Sequence, residues 1–228
     1  MTESIRVQKY LSQKGLYSRR QAEDLIRSGR LSVEGKALTL GDRVAEGALI
    51  ELDGVLLDIP TSVEPTLLAF YKPRGMETTL KPTEGVMTLA DVDFGSRVFP
   101  IGRLDKDSHG LLLLTNDGEL ANQLMHPRYE KEKEYLVQLN KKVEQKDVEQ
   151  WQQGVMLENK KTAPCQVGMI NDTTVAMTLK EGRNRQIRRM CEALGYTVED
   201  LLRVRVGKVH LKSLKPGEWK PISFKLVR

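Results

Sequence analysis

The sequence predicts an α+β fold in two parts: a small module of two helices and a short sheet, joined by a linker to a domain with a mixed, largely antiparallel sheet flanked by helices. Three observations carry this. Apolar residues recur twice at helical spacing within the first thirty residues and then give way to short strand-like runs. Pro60 and Pro65, two prolines in six residues, interrupt the chain where neither a helix nor a central strand can continue. Beyond them, short apolar runs alternate with helical stretches, and no internal repeat or low-complexity segment intervenes. The predicted division is a module over 1–60, a linker over 61–65 and a second domain over 66–228.

The elements follow in order. In "IRVQKYLSQKGLYSRRQAEDLIRSGRLSVEGKAL", Val7, Tyr10 and Leu11 and then Ala22, Leu25 and Ile26 mark the inner faces of two helices. Gly15 and Gly29 stop them, and Ser18 is placed to cap the second. Leu31 to Val33 and Lys36 to Leu38 flank Glu34-Gly35 as a hairpin, and 47–52 supplies a further strand. In the second domain, strands are predicted at 67–71, Lys133 to Leu139 and Thr174 to Leu179, and helices at Gly118 to Met125 and 185–194.

A chain of 228 residues with 39% hydrophobic content can bury an ordinary core without staples. No apolar run approaches the ~20 residues that cross a bilayer, and no apolar core follows the charges of the N-terminus, so a cytoplasmic protein is expected. Cys165 and Cys191 lie in different motifs without CxxC spacing, and His109, His126 and His210 are scattered, which argues against a metal site.

The net charge of +5 is mild, but its distribution is uneven. Residues 180–228 hold thirteen Lys and Arg against five Asp and Glu, an excess of eight, which points to a polyanionic partner rather than to solubility alone. In the first module, Arg19, Arg20, Arg27 and Arg30 cluster on and just after the second helix. Arginine forks beside free backbone N–H groups suit a phosphate backbone. From Leu11 to Gly35 the chain resembles the small RNA-binding domain of a ribosomal small-subunit protein, which many RNA-modifying enzymes carry, with Leu31 and Glu34 as mild departures from its pattern. The resemblance implies RNA contacts from Ser18, Arg19, Arg20, Arg27 and Arg30.

The second domain contains "GRLDKDSHG", Gly102 to Gly110, between the apolar runs Val98 to Ile101 and Leu111 to Leu114. Asp, Ser, Gly and Lys make ordinary solvated turns, yet this turn also gathers Arg103 and His109 between two buried strands. Together with "YKPRG" at Tyr71 to Gly75, "EKEYLVQL" at Glu132 to Leu139 and "EGRNRQIRRM" at Glu181 to Met190, it closely resembles the pseudouridine synthases of the ribosomal small-subunit (Rsu) type, along essentially the whole chain.

The resemblance implies isomerisation of uridine to pseudouridine in ribosomal RNA, with the large-subunit RNA favoured by the "RNRQIRRM" and "VFPIGRLDKDS" versions of the motifs. The C1′–N1 bond breaks and the base rejoins through C5, with no redox change, so neither a cofactor nor a metal is expected. Asp105 matches the family carboxylate, either a nucleophile or the base that removes a sugar proton, whereas Asp107 is out of register with it. Tyr135 matches the active-site tyrosine, placed to stack on a flipped-out uridine. Arg188 matches the basic residue that pairs with the carboxylate and supplies the counter-charge it needs. Arg103 is implied to face the RNA, and Arg183, Arg185 and Arg189 extend the RNA-binding set. Tyr71 and Arg185 stand where many relatives have Asn and His. A monomer acting on ribosomal RNA, away from membranes, is expected. The rival reading is a non-catalytic RNA-binding or ribosome-assembly protein, which would have no reason to keep a buried acid facing a polyanion.

Overall fold

The computed structural model describes residues 4–227. Met1 to Glu3, part of the N-terminal stretch from which a cytoplasmic protein is expected, and Arg228, one of the basic residues counted above, lie outside the described residues. The chain divides into two compact units, Met1–Pro65 and Thr66–Arg228.

The first unit runs β1 (Ile5–Arg6), α1 (Val7–Gln13), α2 (Arg19–Arg27), β2 (Leu31–Val33), β3 (Lys36–Ala37), β4 (Arg43–Val44), β5 (Ile50–Leu52) and β6 (Val55–Leu56). Its sheet has the order β3-β2-β5-β6, and β1 pairs separately with β4. Helix α2 starts where a capping box allows it: Ser18 Oγ accepts from Gln21 N at 3.1 Å, and Ser18 N donates to Gln21 Oε1 at 2.9 Å. Val7, Tyr10, Leu11, Ala22 and Ile26 pack with Leu31 and Ile50. This is the apolar face expected from their spacing. The 47–52 strand is shorter than expected and begins at Ile50.

The second unit runs β7 (Leu67–Lys72), β8 (Phe99–Ile101), β9 (His109–Thr115), α3 (Gly118–Met125), β10 (Lys133–Leu139), α4 (Gln145–Gln153), β11 (Met156–Leu157), β12 (Lys160–Lys161), β13 (Gln166–Met169), β14 (Thr174–Leu179), α5 (Gln186–Glu192), β15 (Val198–Val206), β16 (Val209–His210) and β17 (Trp219–Pro221). The large sheet has the order β13-β14-β10-β15-β9-β7-β17, with β16 on β15 and β8 on β9. Only β9 and β15 pair in parallel among the described strands. Helix α5 is shorter than the 185–194 expected, because Arg185 takes a left-handed conformation (φ 48°, ψ 34°) and stands outside the helix as its N-cap.

Both faces of the sheet are covered, which is why "LLLL" in β9 shows no alternation. Leu111 and Leu113 face α3 through Leu120, Ala121 and Leu124. Leu112 and Leu114, with Leu68 and Phe70, face the opposite way onto Met76, Leu89, Phe94, Val98 and Leu104. On the other half of the sheet, Val137, Leu139, Val175 and Met177 pack under Trp151 of α4 and Ile187 and Met190 of α5. Tyr135 packs against both of the last two clusters and so lies between them.

Candidate active site

The segment between β8 and β9 is a short loop held at almost every residue. It leaves β8 through Gly102 at φ +77° and meets β9 at Gly110 at φ +104°. Leu104 is buried in the cluster beneath. Its N–H donates to Thr78 Oγ1 at 3.2 Å, and Thr78 Oγ1 donates back to the Leu104 carbonyl at 2.6 Å. Gly75 N donates to the Lys106 carbonyl at 2.8 Å, Ser108 N to the Asp105 carbonyl at 3.1 Å, and Arg188 Nη2 to the Asp107 carbonyl at 3.2 Å. Backbone carbonyls and one apolar side chain hold the loop, so the side chain of Asp105 is left half-exposed at its tip. Ser108, by contrast, is buried, and its Oγ has no partner.

Strand register assembles a row of residues beneath this loop. Lys72 on β7 pairs with Gly110 on β9, Gly110 with Arg203 on β15, and Arg203 with Tyr135 on β10. Gly110 is required by the closeness of β9 and β15: a Cβ there would lie 2.4 Å from the Arg203 carbonyl oxygen and 2.7 Å from Leu202 Cδ1. The row thus carries two buried cations with an aromatic ring at its end. Arg203 Nε donates to the Leu111 carbonyl at 2.6 Å, while its Nη2 has no partner. Lys72 Nζ donates to the Pro73 carbonyl at 2.9 Å and the Met76 carbonyl at 2.7 Å. Burial pulls the Lys72 ammonium down to about 8, reinforced by Arg203 and opposed by Asp105 and Asp107.

The side chains of β7 and β9 that point the other way form a second polar group. Tyr71 Oη lies 2.9 Å from His109 Nδ1, and His109 Nε2 lies 2.9 Å from the Asp200 carboxylate. The tautomer that satisfies both partners has Nε2–H donating to Asp200 and Nδ1 accepting from the tyrosine. Arg74 closes the chain with Asp200 at 3.5 Å and with the Glu199 carbonyl at 3.0 Å. Burial and the Asp200 charge push the Tyr71 hydroxyl above its ordinary value. This is where Tyr71, a departure from the usual family residue, finds its partner: it ties β7 to β9 and, through His109, to β15.

Residues 66–193 match the family described as RNA pseudouridylate synthase, and residues 5–50 match the S4 domain. This chain belongs to the RNA pseudouridylate synthases. The synthase is 38% identical over 220 residues to the dual-specificity RNA pseudouridine synthase RluF of Escherichia coli K12, across 96% of this chain and 76% of that protein. It is 38% identical over 222 residues to ribosomal large subunit pseudouridine synthase B of Bacillus subtilis, covering 93% of this chain and 90% of the relative. A crystal structure of a pseudouridylate synthase superposes with a TM-score of 0.71 at 30% identity, covering 98% of each chain.

In the synthase, Arg188 is hydrogen-bonded to the loop that carries Asp105, and Tyr135 lies on β10 in register with Arg203. The direct ion pair expected between Arg188 and Asp105 is not formed: no such pair lies within 4.0 Å among the described residues, and the Arg188 fork instead donates to the carbonyls of Val198 at 3.0 Å and Asp107 at 3.2 Å. A guanidinium presents its donors in one plane, and here that plane ties the loop to the start of β15. Burial pulls Arg188 below its ordinary value, and the charges of Asp107 and then Asp105 act against that.

The other basic residues divide sharply. Arg19, Arg20 and Arg103 are exposed. Arg27 lies 3.4 Å from Asp24 and 3.9 Å from Glu23, Arg30 is held by Asp53 at 2.5 Å, Arg185 lies 3.8 Å from Asp107, and Arg189 2.9 Å from Glu158. Arg183 is a brace, with Nη1 and Nη2 on the carbonyls of Lys160 and Lys161 at 3.1 and 2.7 Å and Nε on Glu181 at 3.3 Å. Ser18 Oγ caps α2.

Sequence reasoning passed over Lys72, Arg203, Thr78 and Gln186. Gln186 is buried; its Oε1 accepts from Arg183 N at 2.9 Å, and its Nε2 donates to Glu181 Oε1 at 2.6 Å, which shapes the turn that delivers Arg188. A lysine and an arginine among apolar strand residues were the available signal, since such residues are almost never fully buried without a partner.

Proposed function

We propose that this synthase isomerises particular uridines of large-subunit ribosomal RNA, acting as a cytoplasmic monomer without a cofactor, with Asp105 as the catalytic carboxylate. The observation that carries the reading is the loop at 102–108, pinned through its backbone so that it presents one half-exposed carboxylate where it leads into β9, whose Gly110 shares a register row with Lys72, Arg203 and Tyr135. A loop that only bound RNA would present cations there, because an acid repels phosphates. The target is supported by the relatives named ribosomal large subunit pseudouridine synthase B, which reach 43% identity in Yersinia pestis. Among the described residues no helix is long and apolar enough to cross a membrane.

In the reaction, the C1′–N1 bond breaks, a C1′–C5 bond forms, and the C5 proton is exchanged for one at N1, so atoms and electrons balance without an oxidant or co-reactant. Asp105 attacks or deprotonates the sugar. Tyr135 stacks on the extruded base, whose flipping costs a few kcal/mol. Arg103 faces the RNA and helps to occupy the gap left by the flipped base, and Arg19 and Arg20 meet phosphate.

The test is Asp105→Asn, nearly isosteric and uncharged. Pseudouridine formation on ribosomal RNA should vanish while RNA affinity stays equal or rises slightly, and Asp107→Asn should be far milder. Mapping pseudouridines in ribosomal RNA from cells with and without the gene identifies the site. Wild-type turnover by the Asn variant would sink the assignment.

A further inference from the structure

The loop that presents Asp105 rests on a fully buried lysine. Lys72 is 0% exposed, and nothing in the proposed chemistry uses it. A lysine ammonium has three donors, and two of them go to the carbonyls of Pro73 and Met76. That bonding closes the 73–76 turn, from which Gly75 N reaches the Lys106 carbonyl at 2.8 Å, next to Asp105. From Lys72 to the catalytic loop, the connection is therefore one turn and one hydrogen bond. The side chain also shares the row with Gly110, which has no side chain to screen it from the loop.

Burial of an unpaired ammonium is costly enough that such residues are rare and usually functional. The charges that act on Lys72 are Arg203 from β15, which repels it, and Asp105 and Asp107 from the loop, which attract it, Asp105 more strongly. On Arg188 the order is reversed, with Asp107 the stronger anion. Resting on the assignment of Asp105 made above, we propose that Lys72 is a positioning residue for catalysis: its buried ammonium organises the 73–76 turn, which is hydrogen-bonded through Gly75 to the loop that carries Asp105, while Arg188 braces the same loop at Asp107.

Two measurements on the full chain test this. In the first, lysines labelled with ¹³C at Cε are titrated by NMR, with Lys72 identified by its contacts to Met76. Lys72 should titrate near 8, well below the surface lysines. Asp105→Asn should lower its midpoint by on the order of half a pH unit or more, through loss of an attracting charge, and Asp107→Asn should lower it less. In the second, the single-turnover rate of pseudouridine formation is followed against pH for wild type and Lys72→Arg. The wild-type rate should decline as Lys72 loses its proton, and the arginine variant, which keeps its charge, should lack that decline. A Lys72 midpoint indifferent to Asp105→Asn, or an identical alkaline limb in both enzymes, overturns the inference. Wild-type turnover by Asp105→Asn overturns the assignment of Asp105 instead, and the two failures are separately visible.

Discussion

Arg188 holds the loop by bonds that the family match did not imply. The family match implied a charge partner for Asp105, and the side chain instead donates two hydrogen bonds to carbonyls, one of them on the catalytic loop. Arg188→Ala should therefore loosen the loop as well as remove charge, costing about 1.5–3 kcal/mol of stability, the range for hydrogen bonds from a charged group, and reducing turnover steeply at neutral pH. Arg188→Lys keeps the charge without the fork and should retain a measurable fraction of the rate. Denaturant unfolding and single-turnover rates of the two variants check this; an alanine variant as stable and as active as wild type would leave Arg188 no part in holding the loop. Asp105 itself was legible because its motif is local in the sequence, whereas the carbonyl partners of Arg188 lie ten residues downstream in one case and eighty-one upstream in the other, a separation no local pattern encodes.

The pairing of β9 with β15 decides where the site lies, and it depends on one glycine. Gly110 has φ +104°, and a Cβ there would lie 2.4 Å from the Arg203 carbonyl oxygen. Gly110→Ala must both strain the backbone, at about 1–3 kcal/mol, and push the strands apart. Gly102 has φ +77° but nothing within 4 Å of a Cβ, so Gly102→Ala should carry the conformational term alone. Thermal unfolding should show Gly110→Ala as clearly the more destabilised, with lost turnover; equal effects would mean that the close approach is relaxed at little cost. Both glycines stand out in the sequence as punctuation of a loop. That Gly102 only opens the loop while Gly110 admits a neighbouring strand follows only from the β9–β15 register.

Over the whole molecule, charge governs both binding and pH response. Arg19 and Arg20 are exposed while Arg30 is held by Asp53. Arg19→Ala and Arg20→Ala should each flatten the slope of log affinity against log salt by up to ~0.7–0.9 per lost phosphate contact, with a smaller change for Arg30→Ala. Binding isotherms across a salt series check this, and an unchanged slope in the double variant would show that this module meets something other than RNA. Stability should fall in alkali. Burial pushes Cys165 up to about 11 and Cys191 up to about 12, so above roughly pH 8.5 the unfolded chain releases thiol protons that the folded one keeps. Their stabilising contribution is complete below that point and is lost as pH rises through the folded values. Lys72 has the opposite sign, since its folded value is depressed to about 8, so its contribution rises between there and the ordinary lysine range near ~10.4. Melting temperatures from pH 7 to 11 should thus change little up to about 9 and then drop, and Cys191→Ala should soften the drop.

The sequence by itself determined the two-part α+β architecture, the strands Lys133–Leu139 and Thr174–Leu179, the helix Gly118–Met125 and the motif that carries the proposed carboxylate, Asp105. Each of these is written in contiguous residues, as periodicity, punctuation or motif. Only the tertiary structure decided which arginines are available to RNA, that Tyr71 is tied through His109 to Asp200, and that Lys72, Gly110, Arg203 and Tyr135 form one row. The reason is that burial and pairing are properties of strand register between distant segments. The same arginine is a phosphate ligand in the open and a structural brace, as Arg183 is, once carbonyls from another hairpin reach it.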